Sequence, residues 1–176
     1  LFFFILIPIP PIAVQHKIVE ILDNFTELEA ELEAELEAEL EARKKQYTYY
    51  RDQLLLNQKK AESKTLGDIG KVCMCKRIMK NQTNTVDGIP FYKIGTFGKE
   101  ADAYISKELY EEYKNKYSYP KKGEVLISAA GTIGRAVIFD GNPSYFQDSN
   151  IVWIENDESL VLNKYLYYFY SVADWR

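Results

Sequence analysis

The chain has 176 residues, enough for one ordinary domain plus an extension. With 47% apolar and 14% aromatic residues a packed core is available, which excludes disorder of the whole chain. A net charge of −4 and a pI near 5.2 exclude a uniformly basic nucleic-acid binder, so any such binding must come from a local basic patch or from a partner that adds positive charge.

The opening run Leu1–Ile7 is apolar, but at seven residues it is far too short to span a bilayer. It lacks the basic n-region and the small-residue cleavage site of a signal peptide, so residues 1–11 read as the tail of a preceding domain and no membrane partner is expected. Prolines at 8, 10 and 11 favour extended structure leading into a helix. From Ile12 to about Glu62 neither Pro nor Gly occurs, which predicts a helix of roughly 50 residues, roughly 75 Å long. A helix of that length points to a coiled coil or spacer.

Val14, Ile18, Ile21, Phe25, Leu28 and Leu32 are spaced 4, 3, 4, 3 and 4 apart, a heptad seam. Residues 27–42 are then four copies of Glu-Leu-Glu-Ala, in which Leu28, Leu32, Leu36 and Leu40 recur every four residues. Four residues turn a helix by about 400°, so this stripe drifts about 40° per copy and wraps around the axis. Tyr47, Tyr50 and Leu54 resume the 3–4 spacing. Eight Glu in sixteen residues repel one another, which the strong helix propensity of Glu, Leu and Ala offsets. A helix with such a seam needs a partner helix, so residues 12–64 read as a spacer and dimerisation segment.

From Thr65 the texture changes. All nine glycines fall beyond this point, and short β-type runs (89–95, 124–128, 135–139 and 150–154) are bounded by turn signals. Helices are expected over 107–116 and 160–172. Residues 65–176 therefore read as an α+β domain.

Chemistry-bearing groups are sparse in that domain. Cys73 and Cys75, the only cysteines, form no disulfide framework, which makes a reducing compartment the default. With His16 the only histidine, and that in the distant helix, two thiols fall short of the four ligands zinc usually takes, so they read as packing residues. No catalytic triad can be drawn without a histidine, no S-adenosylmethionine loop is visible, and Glu111 and Glu112 read as solvated. The segment Ser128-Ala-Ala-Gly131-Thr-Ile-Gly134-Arg135 is no P-loop: its two glycines suit either a tight turn or close approach to a ligand. Lys76, Arg77, Lys80, Asn81, Gln82 and Asn84 combine side chains that reach phosphates and base edges, and equally suit a solvated loop.

Taken in order, several segments resemble one family. Ile7-Pro-Ile-Pro-Pro-Ile-Ala-Val-Gln15 with Ile18–Asp23 and Phe25 resembles the end of a target-recognition domain and the start of the conserved helix in specificity subunits of type I restriction–modification enzymes. The Glu-Leu-Glu-Ala tract resembles that family's spacer repeat, and 43–47 and 50–55 resemble the lead into the next recognition domain. Leu66–Gly70 resembles that domain's first strand, and 89–95, 123–128, 131–134 and 149–152 its later strands and turns.

The resemblance implies a non-catalytic reader of double-stranded DNA. In that family two recognition domains each read half of a split target. Modification subunits dock on the helices, and restriction subunits join through them. S-adenosylmethionine, ATP and Mg belong to those partner subunits, so none is expected here, and the location would be the cytoplasm of a bacterium or archaeon. The residues expected at DNA are Lys76, Arg77, Asn81, Lys93, Lys99, Arg135 and Gln147, near the Gly131–Gly134 turn; the partner-helix seam is Ile18, Ile21, Phe25, Leu28, Leu32, Leu36, Leu40, Tyr47 and Leu54. Only one spacer helix and one recognition domain are read here, and no second Ile-Pro-Pro-x-x-x-Gln motif closes residues 65–176. The expectation is a truncated or half subunit able to pair with itself through the helix. The competing reading is a coiled-coil interaction scaffold that binds no DNA. A basic groove beside the Gly131–Gly134 turn would separate the two.

Overall fold

The structure, a computed structural model, describes residues 6–58 and 61–175. The chain divides into two compact units, Leu1–Arg51 and Asp52–Arg176. Residues 1–5 of the expected leading tail lie outside the described residues.

Helix α1 (Ile12–Leu56) is 45 residues long. Its entry is fixed by Pro11, whose carbonyl accepts from the N–H groups of Val14 and Gln15, while the Gln15 amide donates to the Pro10 carbonyl at 2.8 Å. The helix stops at Leu56 rather than near Glu62. The Gln58 side-chain amide turns back to the Leu54 carbonyl (2.7 Å), satisfying one of the acceptors a helix end leaves open. None of its side chains is buried. The seam residues remain between 44% (Ile21) and 67% (Leu54) exposed and form an apolar stripe along the helix. Ion pairs Lys17–Glu20, Arg43–Glu39 and Lys44–Glu41 decorate the helix but are exposed and contribute little.

The second unit is built in three layers. A four-stranded antiparallel sheet has the order β1 (Gly70–Met74), β7 (Ile151–Asn156), β4 (Val125–Ser128), β5 (Ala136–Ile138). A three-stranded sheet has β2 (Ile89–Tyr92) between β3 (Tyr104–Ile105) and β6 (Tyr145–Phe146), the β2–β6 pair being parallel. The larger sheet is the middle layer, and side-chain alternation explains it. Register places Cys73, Trp153 and Leu126 in one row across three strands. This row packs with Phe91, Ile105, Tyr145 and Phe146 of the smaller sheet and with Tyr110 of helix α3 (Lys107–Lys116). On the opposite face Val125, Ile127 and Ile154 pack on Ile69 and on Leu166 and Tyr170 of helix α4 (Asn163–Tyr170). Leu126, Ile105 and Ile151 are fully buried. The mixed α+β class expected from the sequence is what the chain adopts.

Differences from the sequence reading are local. Leu66–Gly70 is not a strand: Leu66–Ile69 is one helical turn, α2, because the Asp68 carboxylate accepts from both the N–H and the hydroxyl of Thr65, and β1 begins only at Gly70. Strand β2 ends at Tyr92 instead of Gly95, since Thr96 Oγ1 accepts from the Lys93 N–H and folds the chain into a turn. Helix α3 matches its expected bounds, started by Ser106, whose Oγ accepts from the Leu109 N–H. Helix α4 is shorter than the expected 160–172 span.

Candidate functional site

Strand register determines which loops meet. Met74 lies opposite Val152, Ser128 opposite Ile151, and Ile127 opposite Ala136. Thus β1 and β4 end where β5 and β7 begin. In the smaller sheet the parallel strands β2 and β6 end together, Tyr92 opposite Phe146, and residues 147–150 carry the chain from there into β7. Four loops therefore leave the same end of the domain: 75–88, 93–103, 129–135 and 147–150. All seven residues singled out from the sequence as DNA-facing sit on these four loops.

The loops are tied to one another. Ala129 N–H donates to the Asn150 carbonyl (2.7 Å), and Gln147 N–H donates to the Tyr92 carbonyl (2.9 Å). The Gln147 side chain accepts from the Ile94 N–H (2.9 Å), and the Arg135 guanidinium donates to the Phe97 carbonyl (3.0 Å). Both side chains thus latch neighbouring loops. Arg77 Nε meets Asp148 Oδ2 at 2.9 Å, linking loop 75–88 to loop 147–150. Lys93 pairs with Asp102 inside its own loop at 2.9 Å. Lys76, Asn81 and Lys99 point to solvent: Asn81 lies in a 3-10 turn at Lys80–Gln82, and Lys76 Nζ stands 5.3 Å from the centre of the Tyr117 ring.

The Gly131–Gly134 turn is tightly defined. Both glycines have left-handed φ, 65° and 86°. Ser128 Oγ closes the turn from beneath, donating to the Thr132 carbonyl and accepting from the Arg135 N–H. A Cβ at Gly134 would run into the Trp175 ring, whose Nε1 donates to the Tyr170 carbonyl (3.0 Å). The sequence reading missed Asp148 and Trp175. Their partners lie 71 and 41 residues away, so no local signal marks either.

The thiols are shielded from solvent. Both are buried, and desolvation pushes Cys73 up and Cys75 up to about 12. Among the described residues no group of His, Cys, Asp and Glu could hold a metal ion, and no helix is long and apolar enough to cross a membrane.

Residues 5–42 and 58–174 match the family model described as type I restriction modification DNA specificity domain. The Haemophilus influenzae protein S.HindORF215P, named as a type I restriction enzyme specificity subunit, is 68% identical over 173 residues, 96% of this chain and 45% of its own length. The EcoR124I/EcoR124II specificity subunit of Escherichia coli is 55% identical over 73 residues, 37% of this chain and 17% of its own length. The chain thus spans less than half the length of either relative. Among solved structures, the HsdS subunit of Thermoanaerobacter tengcongensis matches with a TM-score of 0.61 and 18% identity over 94% of this chain and 42% of that one. A chain from a structure of complex assembly and conformational transition of the type I R-M system matches with a TM-score of 0.56 and 19% identity, over the same shares. At these identities the structural likeness speaks for the fold alone. With its family model covering most of its length, the chain belongs to the type I restriction–modification DNA specificity family.

Proposed function

We propose that this chain is the DNA-reading part of a type I specificity subunit, in which the four-loop end of the second unit reads one half of a split target. The observation that carries this reading is the convergence of loops 75–88, 93–103, 129–135 and 147–150 on one end of a rigid three-layer domain. Rigid scaffolds with clustered loops are where recognition side chains are held. Lys76, Lys99 and Asn81 are the groups free to reach phosphates and base edges, while Arg135 and Gln147 fix the loops that present them.

On this reading α1 is the spacer. Its exposed stripe takes a second helix, from another copy of the chain or another part of the same subunit, and the paired helices dock the modification subunits. Those subunits contribute the positive charge that a chain of net charge −4 lacks, and the methyl-transfer and cleavage chemistry with their S-adenosylmethionine, ATP and Mg. The chain itself performs no bond chemistry and works in the cytoplasm.

The test is selection from a random-sequence duplex pool, with and without the modification subunit, followed by sequencing. Enrichment of a half-site motif that appears with the modification subunit supports the reading. No enrichment under either condition refutes it in favour of a helical scaffold.

A further inference from the structure

The C-terminal end of α3 lies outside every loop considered above, yet the structure ties it to Lys76. Lys76 Nζ is 5.3 Å from the centre of the Tyr117 ring, and Lys116 Nζ is 5.7 Å from the same centre. Two ammonium groups therefore share one aromatic ring. Lys76, Lys116 and Tyr117 are exposed, and no acidic partner of either lysine is found among the described residues.

The ring is held in place from below. Tyr145 is fully buried, and its hydroxyl donates to the Lys76 carbonyl at 3.1 Å. Its ring contacts Tyr113 (6.2 Å between centres), and Tyr113 contacts Tyr117 edge-on (5.3 Å). Tyr117 N–H also closes the helix on the Tyr113 carbonyl. Backbone and side chain of Lys76 are thus joined through three tyrosines in a closed circuit. This gathers two like charges around one ring, an arrangement that an anion reaching both would stabilise. Cation–π attraction to the ring offsets part of their repulsion and keeps both groups on the surface instead of letting them swing apart.

We infer that Lys76, Lys116 and Tyr117 form a phosphate clamp for the DNA backbone, flanking the four-loop end and extending it along α3; this rests on the proposed reading of DNA by that end. Duplex DNA is the occupant because two exposed ammonium groups with no acidic partner among the described residues complement its phosphates, and Lys76 lies at the root of loop 75–88, one of the four loops of the proposed reading end. The clamp positions the duplex and carries no sequence information.

The experiment measures DNA affinity against salt concentration for the complex assembled with modification subunits, on the selected target and on a random duplex. Replacing Lys76 and Lys116 together (Lys76→Gln, Lys116→Gln) should reduce the slope of log affinity on log salt by about two, one for each phosphate contact, and weaken both duplexes by the same factor. Lys114→Gln, on the same helix but over the Tyr110 and Tyr119 rings, should leave both unchanged. Tyr117→Phe should keep wild-type binding and Tyr117→Ala should lose part of it. An unchanged slope in the double variant, with wild-type melting, overturns the clamp and leaves the DNA reading intact. So does a loss confined to the target sequence, which would make these lysines base readers. A wild-type complex that binds no duplex overturns both.

Discussion

Deleting one copy of the repeat, residues 31–34, tests α1 as a spacer. The 45 residues of α1 rise about 1.5 Å each, so the helix extends about 67 Å and each copy contributes about 6 Å. One copy also turns about 40° beyond a full turn. DNA rises about 3.4 Å per base pair and turns about 35°. Length alone predicts a gap between half-sites shorter by nearly two base pairs; rotation alone predicts one. The expected shift is therefore one or two base pairs, always toward shorter gaps, and an added copy should lengthen the gap equally. The deletion is a clean perturbation: it removes no buried side chain and no ion pair described in α1, and Leu28 and Leu36 become neighbours four apart. The assay is binding or methylation by the assembled complex on duplexes whose half-sites are set at successive gaps. A same-length replacement of Glu33 by Lys controls for lost charge and should leave the gap alone. A gap preference that stays fixed after deletion refutes the idea that the length of α1 sets the gap.

Other perturbations test other links. Pairing of two copies through the stripe predicts a dimer by light scattering at micromolar concentration, and Leu32→Glu with Leu36→Glu should then give a monomer; an unchanged mass would remove the stripe from the assembly. Gly134→Ala should cost about 2 kcal/mol, combining about 1 kcal/mol for left-handed φ with about 1 kcal/mol for the Trp175–Tyr170 bond lost when the ring moves. Gly131→Ala meets only Ile94 at ordinary contact distance and should cost about half as much, so equal melting losses would exclude the Trp175 contact. Glu124 is buried, and desolvation raises its pKa above 4.5, so its charged form is disfavoured in the folded state. The fold then loses stability as pH rises from about 4.5 through the raised value, and Glu124→Gln should flatten that part of the pH–stability curve; an unchanged curve would contradict the assignment.

Helices and loops differed in how readable they were. Helix α1 was legible because nothing from Ile12 onward breaks it, and α3 because Ser106 caps it and Lys114 and Lys116 suit its C-terminus. Strand β1 was not, since Val72 and Met74 stay exposed and its strand character comes from pairing with β7, 82 residues on in the Val72–Ile154 pair. Strands β3 and β6 have two residues each, too few to show a period. Among the candidate residues, identity could nominate Arg135 and Gln147 as polar groups. It could not show that each bonds a backbone group on another loop, because Phe97 and Ile94 lie 38 and 53 residues distant. The grouping of four loops at one end follows from register, which no single segment encodes.

The latches at the four-loop end bear on how such a surface can acquire a new target. Gln147 and Arg135 each hold the 93–99 segment, and Arg77 with Asp148 ties loop 75–88 to the loop that carries Gln147, so all four loops are cross-linked. Replacing one latch shifts its neighbours, and changes made one residue at a time should blur discrimination before they redirect it. On the proposed reading of DNA, grafting all four loops together, with their latches, onto the unchanged three-layer core is the route by which this scaffold would exchange one target for another.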